Sequence, residues 1–259
     1  MDNGAATRLV ALPGAMLSMK ESDLMLGGRD VMIDLPVPSF VIEHPKGLVL
    51  FDTGVNPQVA ENPDQYWGRA AKFLNVRFTR NLTVDNQLRE HGYNPADVKC
   101  VVVSHLHLDH AGGLALFPDA KFFIVKGELA HAYWPEPRLR PAFILGDILP
   151  TRGFDWQEVT QDTDLFGDGS LQMLRTVGHT PGECSLFVRL KHSPPVVLTG
   201  DTVHIRRQLK TLAPMPTDYD PNEAAESIKR LKRIQDLGLA QLWVSHDPED
   251  WKNHPHVME

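Results

Sequence analysis

Residues 100–113 read CVVVSHLHLDHAGG. The first five positions form a short, β-branched apolar run, the pattern of a buried strand. His105, His107, Asp109 and His110 follow at once, and Gly112-Gly113 close the segment before a more helical run. A polar surface loop with chance histidines is the plain explanation for one lone His. It does not suit three imidazoles and a carboxylate at a strand end, because crowding titratable groups is costly unless a cation compensates. Imidazole is the commonest side-chain metal ligand, and carboxylate suits the same borderline cations. Side chains alternate along extended backbone, so His105 and His107 point the same way and can share one ion. Asp109 and His110 lie beyond the turn and can reach a second.

The same device recurs further along the chain. His179 follows an expected strand at residues 171–177, Asp201 follows one at residues 196–199, and His246 follows one at residues 241–245. Strand ends on one edge of a sheet converge, so a site built there stands on rigid elements. The candidate ligands are therefore His105, His107, Asp109, His110, His179, Asp201 and His246. That set exceeds what one tetrahedral zinc needs and fits two divalent metal ions with one bridging carboxylate. His105, His107 and His179 are assigned to the first ion, Asp109, His110 and His246 to the second, and Asp201 to the bridge. Zinc is the default, while manganese, cobalt or iron suit the same ligands. Asp52, which ends a strand in FDTG, and Thr180 are expected on position alone to support ligating imidazoles. His44, His91, His131, His192, His254 and His256 are assigned no role in the site.

Elsewhere strands and helices alternate without a linker. Arg8–Leu12 reads as a first strand. Residues 18–38, with Gly27-Gly28 and two prolines, read as a long irregular loop near the site. Residues 39–43 and 48–52 form a hairpin around HPKG. Residues 57–78 read as a broken helix whose Tyr66, Trp67, Phe73, Leu74 and Phe78 make an apolar face for core or lid packing. Residues 84–91 form a short helix stopped by Gly92. Lys121–Val125 is a strand, residues 127–133 start a helix, and the proline-rich residues 134–150 rim the site as a loop. Residues 185–190 and 196–199 make another hairpin. Asp220 caps a helix with Pro221 at its first position and Glu223 completing a capping box. Ala225, Ile228, Leu231, Ile234 and Leu237 recur along it, Lys229, Arg230, Lys232 and Arg233 face water, and Gly238 stops it.

Composition narrows the partners. The 259 residues are read as one domain, residues 1–259, of α/β class. A formal net charge of −7 disfavours nucleic acid, whose phosphates need concentrated Lys and Arg. Two cysteines, Cys100 and Cys184, make no disulfide framework and allow a reducing compartment. No apolar run approaches a membrane span. VALPGAML after Arg8 is broken by Pro13 and is read as strand and loop, not as a targeting segment, so the expected location is cytoplasmic.

These motifs carry a resemblance. HLHLDH at residues 105–110, GHTPG at 178–182, GD at 200–201, SH at 245–246 and FDTG at 51–54 resemble the metallo-β-lactamase superfamily over nearly the whole chain. The resemblance implies an αββα sandwich with a dinuclear site at one edge of the two sheets. Superfamily members cleave lactams, thioesters, lactones and phosphodiesters, so substrate is argued by branch. The main zinc β-lactamase subclasses lack the bridging Asp present here as Asp201. Flavodiiron proteins place Glu where this chain has His107 and add a flavodoxin domain. Transfer-RNA-processing members carry an RNA-gripping arm that the acidic charge does not support. Glyoxalase II shares the ligand set, but its basic residues near the C-terminus have no counterpart in WKNHPHVME. The chain is most similar to the N-acyl homoserine lactonases, through PSFVIEHPKGLVLFDTG at residues 38–54 and the spacing of His179, Asp201 and His246.

What that branch implies is hydrolysis of the lactone ring of a quorum-sensing signal by a hydroxide bridging two metal ions. The partner is a small-molecule acyl lactone, with no nucleic acid and no membrane, and a homodimer is left open. Asp109 would shuttle the proton to the leaving oxygen. Many of these lactonases carry a Tyr three residues after the bridging Asp, where this chain has His204; His204 would hydrogen-bond the carbonyl or the oxyanion. The alternatives are a glyoxalase II-like thioesterase or another ester or lactone hydrolase, and then a non-catalytic metal- or signal-binding protein.

Overall fold

A computed structural model of the chain describes residues 4–259. In chain order its strands are β1 (Arg8–Leu12), β2 (Met16–Lys20), β3 (Met32–Pro36), β4 (Ser39–His44), β5 (Gly47–Phe51), β6 (Val98–Val102) and β7 (Lys121–Val125), followed by β8 (Asp155–Val159), β9 (Thr163–Asp164), β10 (Leu171–Arg175), β11 (Cys184–Val188), β12 (Val196–Leu198), β13 (Gln241–Trp243) and β14 (Val257–Met258). One mixed sheet has the order β14-β1-β4-β5-β6-β7-β8. Its first half is antiparallel, and β5 to β8 run parallel. The second sheet has the order β13-β12-β11-β10-β9 and is antiparallel except for the β12–β13 pair. β2 and β3 form a separate antiparallel hairpin.

The apolar runs of the first sheet are continuous because both its faces are covered. Alternate residues divide between two cores. Leu9, Phe40, Ile42, Val49, Phe51, Cys100 and Val102 point one way, into a core shared with Met173, Leu186, Val188, Leu198 and Trp243 of the second sheet. Val10, Val41, Leu50, Val101, Phe122 and Ile124 point the other way, against Val84, Leu88, Leu114, Ala132 and Ile148 from the covering helices. The outer face of the second sheet, through Leu174, Val197 and Leu242, is covered by Ile228 and Leu231 of the helix Pro221–Asp236. The result is the expected αββα sandwich. Among the described residues no helix is long and apolar enough to cross a membrane.

A fourth core lies outside the sandwich. Leu17, Met19, Leu24 and Leu35 of the β2–β3 hairpin pack with Trp67, Ala71, Leu108 and Ile205. Residues 18–38 are therefore a hairpin with the short helix Glu21–Leu24 in its connection, and not an irregular loop. The period-two apolar pattern is carried by Leu17, Met19, Ile33 and Leu35, and the glycines and prolines around it masked it. Within residues 134–150 the chain also forms short helical turns, among them Leu145–Ile148. Asp220 caps its helix through the amides of Asn222 and Glu223, as expected. Its own N–H donates to the Gly178 carbonyl, so Glu223 has no amide to receive there and the capping box stays open. The buried face of that helix begins at Ala224, and Leu237 lies beyond it, 61% exposed.

Asp147, on the turn Leu145–Ile148, is buried, and its Oδ1 accepts from Asn56 Nδ2 at 2.7 Å and Tyr66 Oη at 2.8 Å. Burial raises its carboxyl to about 6, and the two hydrogen bonds only partly oppose this. A carboxyl raised on folding binds protons in the folded state that the unfolded chain has released, so stability falls as pH rises from about 4 to about 6. Asp147→Asn keeps an oxygen for both donors. The variant should match the parent near pH 4 and exceed it by about 3 kcal/mol at pH 7.5, read from urea midpoints.

Candidate metal centre

The two sheets present their ends at one edge. β5, β6, β10, β12 and β13 lead from that edge's strand ends into Asp52, His105, His179, Asp201 and His246, respectively. β11 runs the opposite way, so its N-terminal end brings Glu183 to the same place. The loop after β6 is held by the FDTG turn: Thr53 N–H and Oγ1 both donate to the His110 carbonyl, and Gly112 N–H donates to Gly54 O. Side chains would not fit there. A Cβ at Gly112 would stand 2.0 Å from Asn56 N, and one at Gly113 would stand 2.5 Å from Thr53 O.

All seven candidate ligands come together in two groups. One ligand atom from each of His105, His107, His179 and Asp201 lies within 4.8 Å of the others, and the same holds for Asp109, His110 and His246. The Asp201 carboxylate stands between the groups. Its Oδ2 is 3.7 Å from His105 Nε2 and 3.5 Å from His179 Nε2, while Oδ1 is 3.1 Å from His110 Nε2 and 2.9 Å from His246 Nε2.

The donor set fits divalent cations. His105 Nε2 is buried without a hydrogen-bond partner. Ring nitrogens face each other, His107 Nδ1 to His179 Nε2 at 3.0 Å and His110 Nε2 to His246 Nε2 at 3.3 Å. Opposed lone pairs at that separation need a proton or a cation between them. Electrostatics agree. Burial and the neighbouring imidazoles push the His105 and His107 rings well below the usual histidine range. Burial works against a charged His110 too, but Asp201, Asp109 and Asp52 outweigh it and raise that ring. For Asp201 burial is overcome by His110, His246 and His204, which hold it far below the ordinary carboxylate range.

The outer nitrogens of the rings are fixed by acceptors, which sets ring orientation. Asp52 Oδ2 lies 2.9 Å from His110 Nδ1, and Asp218 Oδ1 lies 2.8 Å from His179 Nδ1. The Pro36 carbonyl takes His246 Nδ1 at 2.7 Å, and Glu183 Oε2 stands 3.0 Å from His105 Nδ1. Asp52 is thus in contact with a ligand ring. Thr180 turns its hydroxyl toward Glu128 and reaches no imidazole, and the group on His179 is Asp218 instead. His204 is buried with Nε2 at 3.2 Å from Asp201 Oδ2.

Three carboxylates escaped the sequence reading. Glu183 accepts Asp201 N–H at 3.0 Å. Glu128 accepts the amides of Leu106 and Gly182, each at 2.9 Å, and stitches the two ligand-bearing loops together. Asp218 also accepts Met215 N–H at 2.7 Å. Glu183 carried a usable signal, a charge abutting an apolar strand, but at the strand's beginning. Glu128 looks like any acid in a first helical turn, and Asp218 sits in a loop with no distinguishing pattern.

A family model described as the metallo-beta-lactamase superfamily matches residues 32–246. The N-acyl homoserine lactonase AttM of Rhizobium radiobacter is 32% identical over 257 residues, covering 97% of each chain. The N-acyl homoserine lactonase AiiA of Bacillus thuringiensis subsp. kurstaki is 29% identical over 223 residues, 86% of this chain and 85% of its own. Among solved structures, an N-acyl homoserine lactone hydrolase with the product N-hexanoyl-L-homoserine at its catalytic metal centre superposes with a TM-score of 0.85 at 26% identity, over 97% of both chains. A B. thuringiensis AiiA mutant with N-decanoyl-L-homoserine at its active site gives a TM-score of 0.86 at 26% identity, again over 97% of both chains.

Asp52 tests how much the outer acceptors matter. It adopts φ +58°, a conformation Asn also tolerates, and its Oδ1 accepts Ser104 N–H at 2.7 Å. Asp52→Asn keeps that bond and loses the acceptor for His110 Nδ1. Zinc affinity, measured by competition with a chromophoric chelator, should fall about ten- to a hundredfold. Unchanged affinity would leave Asp52 a brace for the backbone alone.

Proposed function

The chain belongs to the metallo-β-lactamase superfamily, and from that premise we propose that it hydrolyses N-acyl homoserine lactones, opening the ring to the N-acyl homoserine. Residues 1–259 act as one catalytic unit, because the ligands come from both sheets and the substrate wall comes from the β2–β3 hairpin. The observation that carries the reading is a cavity of about 380 Å³ that ends on the metal centre. Its walls are apolar, with Leu17, Met19, Leu24, Leu35 and Leu74, and Phe73 stands at its exposed rim. Its floor is polar: His107, Asp109, Asp201 and His204. A small polar head over the metals with an apolar tail along the wall matches that division, and an acyl lactone has that shape.

His105, His107 and His179 would hold one divalent ion and Asp109, His110 and His246 the other, with Asp201 bridging; zinc suits this nitrogen-rich set. Such a pair supplies an acidified water as nucleophile and Lewis-acid polarisation of the carbonyl. The remaining work falls to the chain. The apolar wall holds the tail so that the carbonyl carbon lies over Asp201. The water oxygen bonds to that carbon, the ring C–O bond breaks, and its electron pair leaves on the ring oxygen. Asp109, on the cavity floor, carries the water's proton to that oxygen, so lactone and water give one hydroxy acid. His204 donates a hydrogen bond to the carbonyl oxygen as it gains charge, the part given to Tyr in many related lactonases.

A thioesterase of the glyoxalase II type would use the same ions. Among the described residues none after His246 lines the cavity, which leaves the C-terminal segment no part in gripping a glutathione. Zinc-loaded protein should therefore open C4 to C12 acyl homoserine lactones far faster than it cleaves S-lactoylglutathione, followed by acid release. kcat/KM should rise with chain length until the cavity fills, by at most about 0.8 kcal/mol for each methylene. Preference for the thioester, or a flat length response, would overturn the assignment.

Side-chain roles are read separately. Asp201→Ala should lose metal and turnover together, starting from about two ions per chain. His204→Ala should keep the metal and lower kcat about ten- to a hundredfold, and His204→Tyr should recover part of that loss. Parental kcat in the Ala variant would make His204 a bystander.

A further inference from the structure

Gln208 is buried and uses every hydrogen-bonding group it has. Its Oε1 accepts His204 N–H at 2.7 Å and Ile205 N–H at 3.2 Å. Its Nε2 donates to the Leu24 carbonyl at 3.3 Å and the Ala213 carbonyl at 3.2 Å. One side chain thus joins the backbone that carries His204 to the hairpin residue whose side chain walls the apolar cavity. A primary amide does this where few groups could, because it presents an acceptor and two donors on one rigid plane.

The junction is reinforced on both sides. Glu21, three residues before Leu24, accepts from Arg29 N–H at 2.7 Å, Arg29 Nε at 2.8 Å and Arg29 Nη2 at 3.0 Å. It also accepts from Arg207 Nη1 at 2.7 Å, and Arg207 adjoins Gln208 on the short helix Arg207–Thr211. Leu26 N–H donates to Pro214 O at 2.9 Å, just past that helix. Ile205 packs in the same apolar cluster as Leu24 and Met25. The hairpin and the His204 segment are fastened at adjacent residues, so one cannot shift without the other.

We propose that Gln208 is a positioning residue: it sets His204 over the metal centre and passes occupancy of the apolar cavity on to it. This rests on the lactone reading and on His204 touching the carbonyl oxygen. A tail pressed against Leu24 then helps to place the donor at the carbonyl oxygen. Binding energy gained along the tail is thereby spent on the chemical step, and it appears in kcat as well as in KM. A residue that merely fills space would change stability or KM without tying kcat to tail length.

Two variants separate the two halves of the junction. Gln208→Glu keeps the acceptor for His204 and Ile205 but puts an oxygen, with at most one proton to donate, in place of the amide nitrogen that serves Leu24 and Ala213. Gln208→Met has similar length and neither function. Zinc-loaded proteins, matched for zinc content and with Tm recorded, are assayed on C4, C8 and C12 acyl homoserine lactones. Parental kcat should rise with chain length. In Gln208→Glu kcat should go flat with length while KM still falls. Gln208→Met should lower kcat about tenfold on every lactone. In a His204→Ala background Gln208→Met should lower kcat no further. A tenfold loss persisting in that background, or a parental kcat independent of length, overturns the proposal. Parental kcat in His204→Ala itself overturns the role of His204 and this proposal with it, leaving the lactone assignment standing.

A measurement without turnover completes the test. The imidazole ¹⁵N resonances of His204 are followed as N-decanoyl-homoserine or N-butanoyl-homoserine is added to zinc-loaded protein. The longer chain should move them further in the parent and equally with the shorter in Gln208→Met. Equal movement in the parent overturns the coupling. Failure to open any lactone would overturn the substrate reading, and the resonances would still decide this one.

Discussion

The structure depends on keeping a set of acids and imidazoles out of water together. Asp52, Glu128, Glu183, Asp201 and Asp218 are buried, as are His105, His110, His179, His204 and His246. Asp52, Glu183, Asp201 and Asp218 each face an imidazole. Dehydrating this many charges is tolerable only when every one is answered by a hydrogen bond or an opposite charge. The recurring answer is a division of labour within each outer carboxylate. One oxygen accepts a backbone amide, and the other meets a ring: Ser104 N–H and His110 at Asp52, Asp201 N–H and His105 at Glu183, Met215 N–H and His179 at Asp218. Each such acid fixes a loop and a ring in one act.

The sandwich serves that arrangement. Two sheets packed through a shared core bring five strand ends and one strand beginning to a single edge, and the loops that leave them are short. Close approach between the FDTG turn and the loop after β6 requires Gly112 and Gly113, and a larger residue at either would separate Asp52 from His110. The β2–β3 hairpin closes the remaining side. It walls the cavity, and its last residue, Pro36, gives its carbonyl to His246. The wall that would meet a substrate tail therefore belongs to the same bonded framework as the centre it covers.

The seven candidate ligands were legible because each adjoins an apolar run, and adjacency in sequence is what a single chain reveals; the layer order came only through the family resemblance. Glu128, Glu183 and Asp218 were not legible, since the partners that bury them lie far away in the chain: Leu106 for Glu128, Asp201 for Glu183 and His179 for Asp218. The hairpin at residues 18–38 was hidden by its own glycines and prolines, which mark its connection and end but not its strands. β8 was passed over because it is a sheet edge, and DWQEV is half polar and largely exposed. Gln208 has no signature of any kind: a glutamine in a basic, polar helix reads as surface until the carbonyl of Leu24 is found beside it.

The centre draws on β6 in one sheet and on β10, β12 and β13 in the other. A cation seated there is a staple across the sandwich, closing the chain from His105 to Asp201 in one group or from Asp109 to His246 in the other, at a point where the unfolded polypeptide has nothing preassembled. Holding the native arrangement and not the unfolded chain, it adds to stability by mass action, by about 2.7 kcal/mol when the free ion stands at a hundred times its dissociation constant. The ions that would serve the chemistry then also govern how long the protein lasts, and a cell short of metal would lose the enzyme along with its activity.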